Sequence, residues 1–231
     1  MGNKTGMELL AVGVDRSPAR AREDYVKAIY QLGVQGPVRA AALARYLRVS
    51  RVSVSKAKRL LESQGLLEPD ERPSQALRLT PRGERLAVAM VRRHRLLETF
   101  LHEALRMPLE DVHSEAERIE HVISDDLAMR IAALLEHPRC DPHGHPIPYS
   151  DGAPRGKPLP ALDTLAAGRK ARVVSLDDRD DEAVAAFARA GILPGAVLRV
   201  EKSERGRVIV RLGDRRLSLR RAHAAMVRVA T

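Results

Sequence analysis

Residues 39–65 read RAAALARYLRVSRVSVSKAKRLLESQG. The Ala-rich stretch from Ala40 to Leu47 predicts a short helix, and Val49-Ser50 predicts a turn. Arg51 to Gln64 predicts a second helix, with Ser50 placed to cap its start and Gly65 its end. Working outward, Leu66-Leu67 and Leu77–Leu79 flank a polar, proline-containing segment, a hairpin with a loop at its tip. Helix, turn, helix and hairpin in that order predict a winged helix-turn-helix. Between 39 and 60 lie Arg39, Arg45, Arg48, Arg51, Lys56, Lys58 and Arg59, with no acidic residue. On the second helix Val54, Ala57, Leu60 and Leu61 form the stripe expected to be buried. Arg51, Ser53, Ser55 and Lys56 then lie nearer the outside, where hydroxyls reach phosphates or base edges and arginine pairs with guanine. With Ser50, and with Arg39 and Arg72 placed for backbone contacts, they form the expected surface for double-stranded DNA. A basic, solvated face on a packing module would share the pattern; fold, charge and N-terminal hydroxyls together favour DNA.

The rest of the composition agrees. The chain has 231 residues and a formal net charge of +10, which points to a polyanion. Aromatic residues make up only 3%, with no Trp, which disfavours a single-strand binder that stacks bases. No apolar run reaches the roughly 18 residues of a spanning helix, so no membrane role is expected, and the chain reads as cytoplasmic. A single cysteine, Cys140, excludes a disulfide framework.

Residues 1–18 have no clear period and read as a flexible leader, ahead of a DNA-binding unit over 19–80. Two long helices are expected next, about 81–106 and 112–136, as a helical unit over 81–137. Residues 138–160 are dense in proline and read as a linker, in which Cys140, His143 and His145 are expected to be uncommitted. Five short strand-like runs and one helix, about Asp181–Ala190, follow over 161–231. They suggest a small SH3-like barrel. The expected fold class is mainly α with a small β domain.

A second chemistry lies on the long helices. His113, Glu117, Glu120 and His121 share one helical face, and His94 and Glu98 share another. Two neighbouring His/Glu stripes suit one or two metal ions, because unpaired buried carboxylates are costly. The same residues could make a solvated charged face. A metal-activated water would make the chain a hydrolase, but no nucleophile or phosphate-binding loop accompanies it.

Glu23-Asp24-Tyr25 with Ile29-Tyr30, Arg93-His94-Arg95-Leu96-Leu97-Glu98, Val112-His113 through Glu117-x-x-Glu120-His121-x-x-Ser124-Asp125, and Pro146-Ile147-Pro148 resemble one family. It is the diphtheria-toxin repressor and manganese-transport regulator family of metal-dependent transcription regulators. The resemblance runs from about residue 20 to 150, and the barrel matches longer members. It implies a winged helix-turn-helix, a helical metal-binding and dimerisation domain, and an SH3-like domain. It also implies a homodimer on a palindromic operator, repressing metal-uptake genes when metal binds. By motif position it implies a primary site of Asp24, Glu117, Glu120 and His121. The implied second site holds His94, Glu98, His113 and, from the barrel, Asp180. Iron-responsive members carry sulfur where this chain has Asp24 and Glu117. Oxygen at both favours Mn²⁺, with Fe²⁺ close behind. Short manganese regulators carry Glu where this chain has Lys27, which disfavours a closely spaced two-metal cluster.

Overall fold

A computed structural model describes residues 18–69, 76–149 and 158–231. Helix α1 (Pro18–Gly33) leads into α2 (Ala40–Tyr46) and α3 (Arg51–Ser63). Ser50 caps α3, its hydroxyl accepting from the Ser53 amide at 3.0 Å. Leu67 pairs with Leu79 and Val38 with Leu77, so the hairpin closes against the strand-like residue that precedes α2. Val26, Ile29, Leu43, Val54, Leu61, Leu67 and Ala87 share the core of this unit. Leu60, expected inside with them, is 42% exposed; at the far edge of the stripe it only borders the α1–α3 seam.

Helix α4 (Pro81–Glu103) is capped by Thr80 and begins with proline, the residue best suited to a first helical turn. The single helix expected over 112–136 is two: α5 (Leu109–Ile119) and α6 (Asp125–Leu134). Ser124 accepts from the Leu127 amide at 3.2 Å, and Asp125 and Asp126 occupy the first turn, where acids complement the helix dipole. This start signal lies inside a periodic apolar pattern and overrides it. The break leaves Glu120 as the C-cap of α5 and His121 in the turn beyond.

The C-terminal unit is a five-stranded antiparallel sheet of order β4-β3-β2-β1-β5. Its strands are β1 (Lys170–Leu176), β2 (Val197–Ser203), β3 (Arg207–Leu212), β4 (Arg215–Arg220) and β5 (Val227–Ala230), with α7 (Asp181–Ala190) between β1 and β2. Phe187, Leu176, Leu198 and Val210 fill its core.

Residues 138–149, expected to be part of a linker, form an ordered loop. Cys140 bridges to Pro146, the Leu176 amide donates to the His143 carbonyl at 2.9 Å, and Asp141, His143 and Ile147 are buried. Proline here shapes a tight loop packed between α4, α5 and β1. Residues 1–17 of the leader and residues 150–157 fall outside the described residues, and Pro18 opens α1.

Gly144 permits that packing. Its φ is +90°, and a Cβ there would meet the Val174 carbonyl oxygen at 2.0 Å. Gly144→Ala should destabilise the fold by about 2–3 kcal/mol through backbone strain and the clash. Urea unfolding reads this; an unchanged midpoint would show that the loop is not held against β1.

Candidate metal centre and nucleic-acid interface

Most of the residues expected to face DNA lie on α3 and its N-cap, with Arg39 ahead of α2. Arg39, Arg51, Ser55 and Lys56 are exposed and Ser53 is half-buried. Ser50 is committed to its cap and to a 2.9 Å contact with the Ser53 hydroxyl. Arg72 lies outside the described residues.

The break after α5 turns Glu120 and His121 toward α1. His121 Nε2 lies 3.0 Å from Asp24 Oδ1 and 3.4 Å from Glu120 Oε1, and these three side chains form one potential cation site. His121 Nδ1 meets Glu23 Oε2 at 2.8 Å. Glu23 thus fixes the ring so that Nε2 faces Asp24. In the sequence Glu23 stood out only as part of the Glu23-Asp24-Tyr25 motif beside a predicted ligand. Burial opposes a charge on His121, and the bonds to Asp24 and Glu23 more than offset it, raising its pKa. Glu117 stands apart from the trio: half-exposed, it lies 3.8 Å from Lys27 Nζ and 3.7 Å from His113 Nε2. It borders a cavity of about 680 Å³ that Asp24, Lys27, His113 and Arg179 also line.

A second cluster centres on Glu98, whose side chain is fully buried. His94 Nε2 lies 3.0 Å and His113 Nδ1 3.1 Å from its Oε1, and Asp178 Oδ2 lies 3.6 Å from His113. Asp178 takes the place expected of Asp180. Asp180 is instead the N-cap of α7, its carboxylate accepting from the Ala183 amide at 3.0 Å. Adjacent acids two positions apart look alike in sequence, and the cap rotates Asp180 away.

Glu98 and Asp178 also face Asp141 and His143, a further cation-sized group. His143 Nε2 donates to the Leu109 carbonyl at 3.2 Å, which leaves Nδ1 as an acceptor aimed at Glu98, 3.7 Å away, and Asp178. Glu98 Oε2, Asp141 Oδ2 and His143 Nδ1 are all buried and short of hydrogen bonds, with Asp141 Oδ2 also 3.3 Å from His145 Nδ1 and 3.6 Å from Arg95 Nε. Converging buried acceptors of this kind fit a bound cation better than they fit an empty core. Nothing in their proline-rich sequence context marked Asp141 and His143 as paired groups.

Between the clusters lies Glu120, 1% exposed. Burial would raise its pKa, but Lys27 and His94 hold it down at about 2. Burial works against a charge on His94 too; Glu98 and Glu120 outweigh both burial and Lys27, and its pKa is pushed up to about 10.

Residues 19–72 match the N-terminal DNA binding domain of iron dependent repressors, and residues 80–149 match their metal binding and dimerisation domain. Residues 161–231 match the FeoA domain. The iron-dependent repressor IdeR of Mycobacterium leprae is 34% identical over 202 residues, 81% of this chain and 86% of its own. The diphtheria toxin repressor of Corynebacterium glutamicum is 33% identical over 204 residues, again 81% and 86%. A manganese-dependent transcriptional repressor solved with manganese superposes with a TM-score of 0.82 at 36% identity, over 91% of this chain and 99% of that one.

A DNA-binding unit, a buried His/carboxylate centre and an SH3-like unit in this order define a metal-dependent regulator of transcription. The chain belongs to the diphtheria-toxin repressor and iron-dependent repressor family. Its domains indicate DNA and a second copy of itself as partners. Among the described residues no helix is long and apolar enough to cross a membrane.

The buried ionic cluster should make metal-free stability depend on pH at both ends. Glu120, lowered from 4.5, stabilises the fold above pH 4.5, and that contribution is lost as pH falls through about 2. His94, raised from 6.5, stabilises the fold below pH 6.5, and that contribution is lost as pH rises through about 10. Thermal melts of the chelated protein should therefore peak between these limits; a melting temperature flat from pH 3 to 10 would contradict the pairing.

Proposed function

We propose that this chain is a homodimeric repressor of metal-uptake genes that binds a palindromic operator when Mn²⁺, or secondarily Fe²⁺, is bound. The observation that carries this reading is the contact between Asp24 on α1 and His121 beyond α5. α1 precedes and packs on the DNA-reading helices, whereas His121 belongs to the helical core. A ligand set drawn from both couples the state of the site to the position of the reading head.

Asp24, Glu120 and His121 would hold the first ion, with Glu117 closing in from the cavity rim. When bound, the ion supplies the positive charge that ties these acids together. The residues do the rest: Glu23 orients His121, Asp24 draws α1 toward the turn, and α3 is carried with it into a fixed half-site spacing. Hard oxygens with one imidazole suit Mn²⁺ and Fe²⁺. The manganese-bound relative supports the first and the iron-dependent relatives the second.

For the second ion, Glu98 and Asp178 are common to both ligand groups. The buried acceptor atoms of Asp141 and His143 that make no hydrogen bond favour these two as their companions. Leu127 and Leu134, seven residues apart on α6, are exposed in the single chain and supply an apolar face for the second copy.

Asp24→Ala should leave the fold intact and remove metal-stimulated operator binding, a stimulation of about 5–150-fold for a coupling of this kind. Titrating the operator with and without Mn²⁺ measures it, and an undiminished response would sink the clamp. The Asp141→Ala/His143→Ala double variant should bind one Mn²⁺ per chain where the parent binds two, by metal analysis after desalting. Two retained ions would assign the second site to His94 and His113.

A further inference from the structure

Lys27 is the charged group that the metal reading does not use. It follows Asp24 by three positions on α1, so both lie on the helix face turned to the metal region. It is 4% exposed, and its Nζ lies 2.8 and 2.9 Å from the two Glu120 oxygens, 3.1 Å from His94 Nδ1 and 3.8 Å from Glu117. The Lys27 ammonium thus grips both oxygens of the carboxylate that also stands 3.4 Å from His121 Nε2. Val26, Ala28, Ile29 and Tyr30 around it are all buried in the apolar core. Packing alone would favour a hydrocarbon at such a position, since a buried ammonium is costly even when well paired.

We propose that Lys27 is a built-in counter-cation of the metal centre. It neutralises Glu120 in the metal-free protein and so sets how much free divalent metal is needed to load the Asp24–Glu120–His121 site. The inference rests on that site being the one that metal fills. Two positive centres a few ångströms apart repel strongly in a partly buried region, and each needs the same carboxylate. Loading therefore takes Glu120 away from Lys27 or leaves a fixed cation beside the ion. Either route weakens binding, and because the opposition is electrostatic, it weakens all divalent ions by a similar factor. Selectivity stays with the ligand atoms, and the threshold stays with Lys27. The same group keeps the metal-free protein from burying bare carboxylates, so it should stabilise that state while opposing the loaded one.

The test compares wild type with Lys27→Met, Lys27→Gln and the charge-preserving Lys27→Arg. Mn²⁺ and Zn²⁺ affinities are measured by competition with a fluorescent chelator, with Asp24→Ala identifying which binding step belongs to this site. Thermal melts of the chelated proteins run alongside. Lys27→Met and Lys27→Gln should bind both metals at least about tenfold more tightly, with the Mn²⁺/Zn²⁺ ratio changed less than about threefold. Both should melt lower than wild type without metal, and the gap should narrow on saturation. Lys27→Arg should bind as wild type does. Unchanged or weaker affinity in the folded neutral variants would overturn the proposal, as would equal tightening in Lys27→Arg. Wild type that binds Mn²⁺ with no step lost in Asp24→Ala would fail the underlying site assignment, and the inference with it.

Discussion

One buried carboxylate holds the metal region together. Glu120 draws Lys27 from α1 and His94 from α4 onto the turn that follows α5, and it adjoins His121. A charge taken out of water this completely survives only with partners. Removing one partner from such a pair costs about 3–5 kcal/mol, far more than an exposed ion pair contributes. The three helices therefore meet where this cluster lets them meet. The reading head is built on α1, so its position depends on the charge balance around a single side chain.

The barrel enters the same network from the other side. Asp178 reaches His113 and His143, and its neighbour Arg179 lies over the Tyr46 ring of α2 at 4.3 Å. Tyr46 in turn donates to Gln31 Oε1 on α1 at 2.9 Å. The ordered loop around Gly144 fixes the barrel strand β1 against the helical unit, so Asp178 is presented from a firm base. The DNA-reading unit is thus touched from two directions: by Asp24 and Lys27 through α1, and by Arg179 through α2. Both routes lead back to the His and carboxylate clusters of the metal region.

Much of this was legible in the sequence wherever a local signal and a periodic signal agreed. Ser50 and Gly65 bounded α3, and the β-type runs between turn residues gave all five strands of the barrel. The stripe of His113, Glu117, Glu120 and His121 marked the right chemistry but not its division. Helical spacing puts all four on one face, whereas Ser124 and its following acids end the helix and send Glu120 and His121 to α1. Asp178 could not be told from Asp180 because the distinction is a capping bond that forms only in the fold. Asp141 and His143 were hidden for a different reason. Proline density is shared by linkers and by tight buried loops, and only contact with α4, α5 and β1 separates them. The burial of Lys27 is a tertiary fact as well, since a lysine on an amphipathic helix ordinarily reaches water.

The central claim is that a metal ion joins α1 to the turn beyond α5. An anomalous difference map at the manganese absorption edge, from crystals of the Mn²⁺-loaded protein on operator DNA, tests it directly. The account predicts a manganese peak within bonding distance of Asp24, Glu120 and His121, in both copies of a dimer. Manganese bound without Asp24, with α1 still seated on DNA as in the loaded complex, would contradict it.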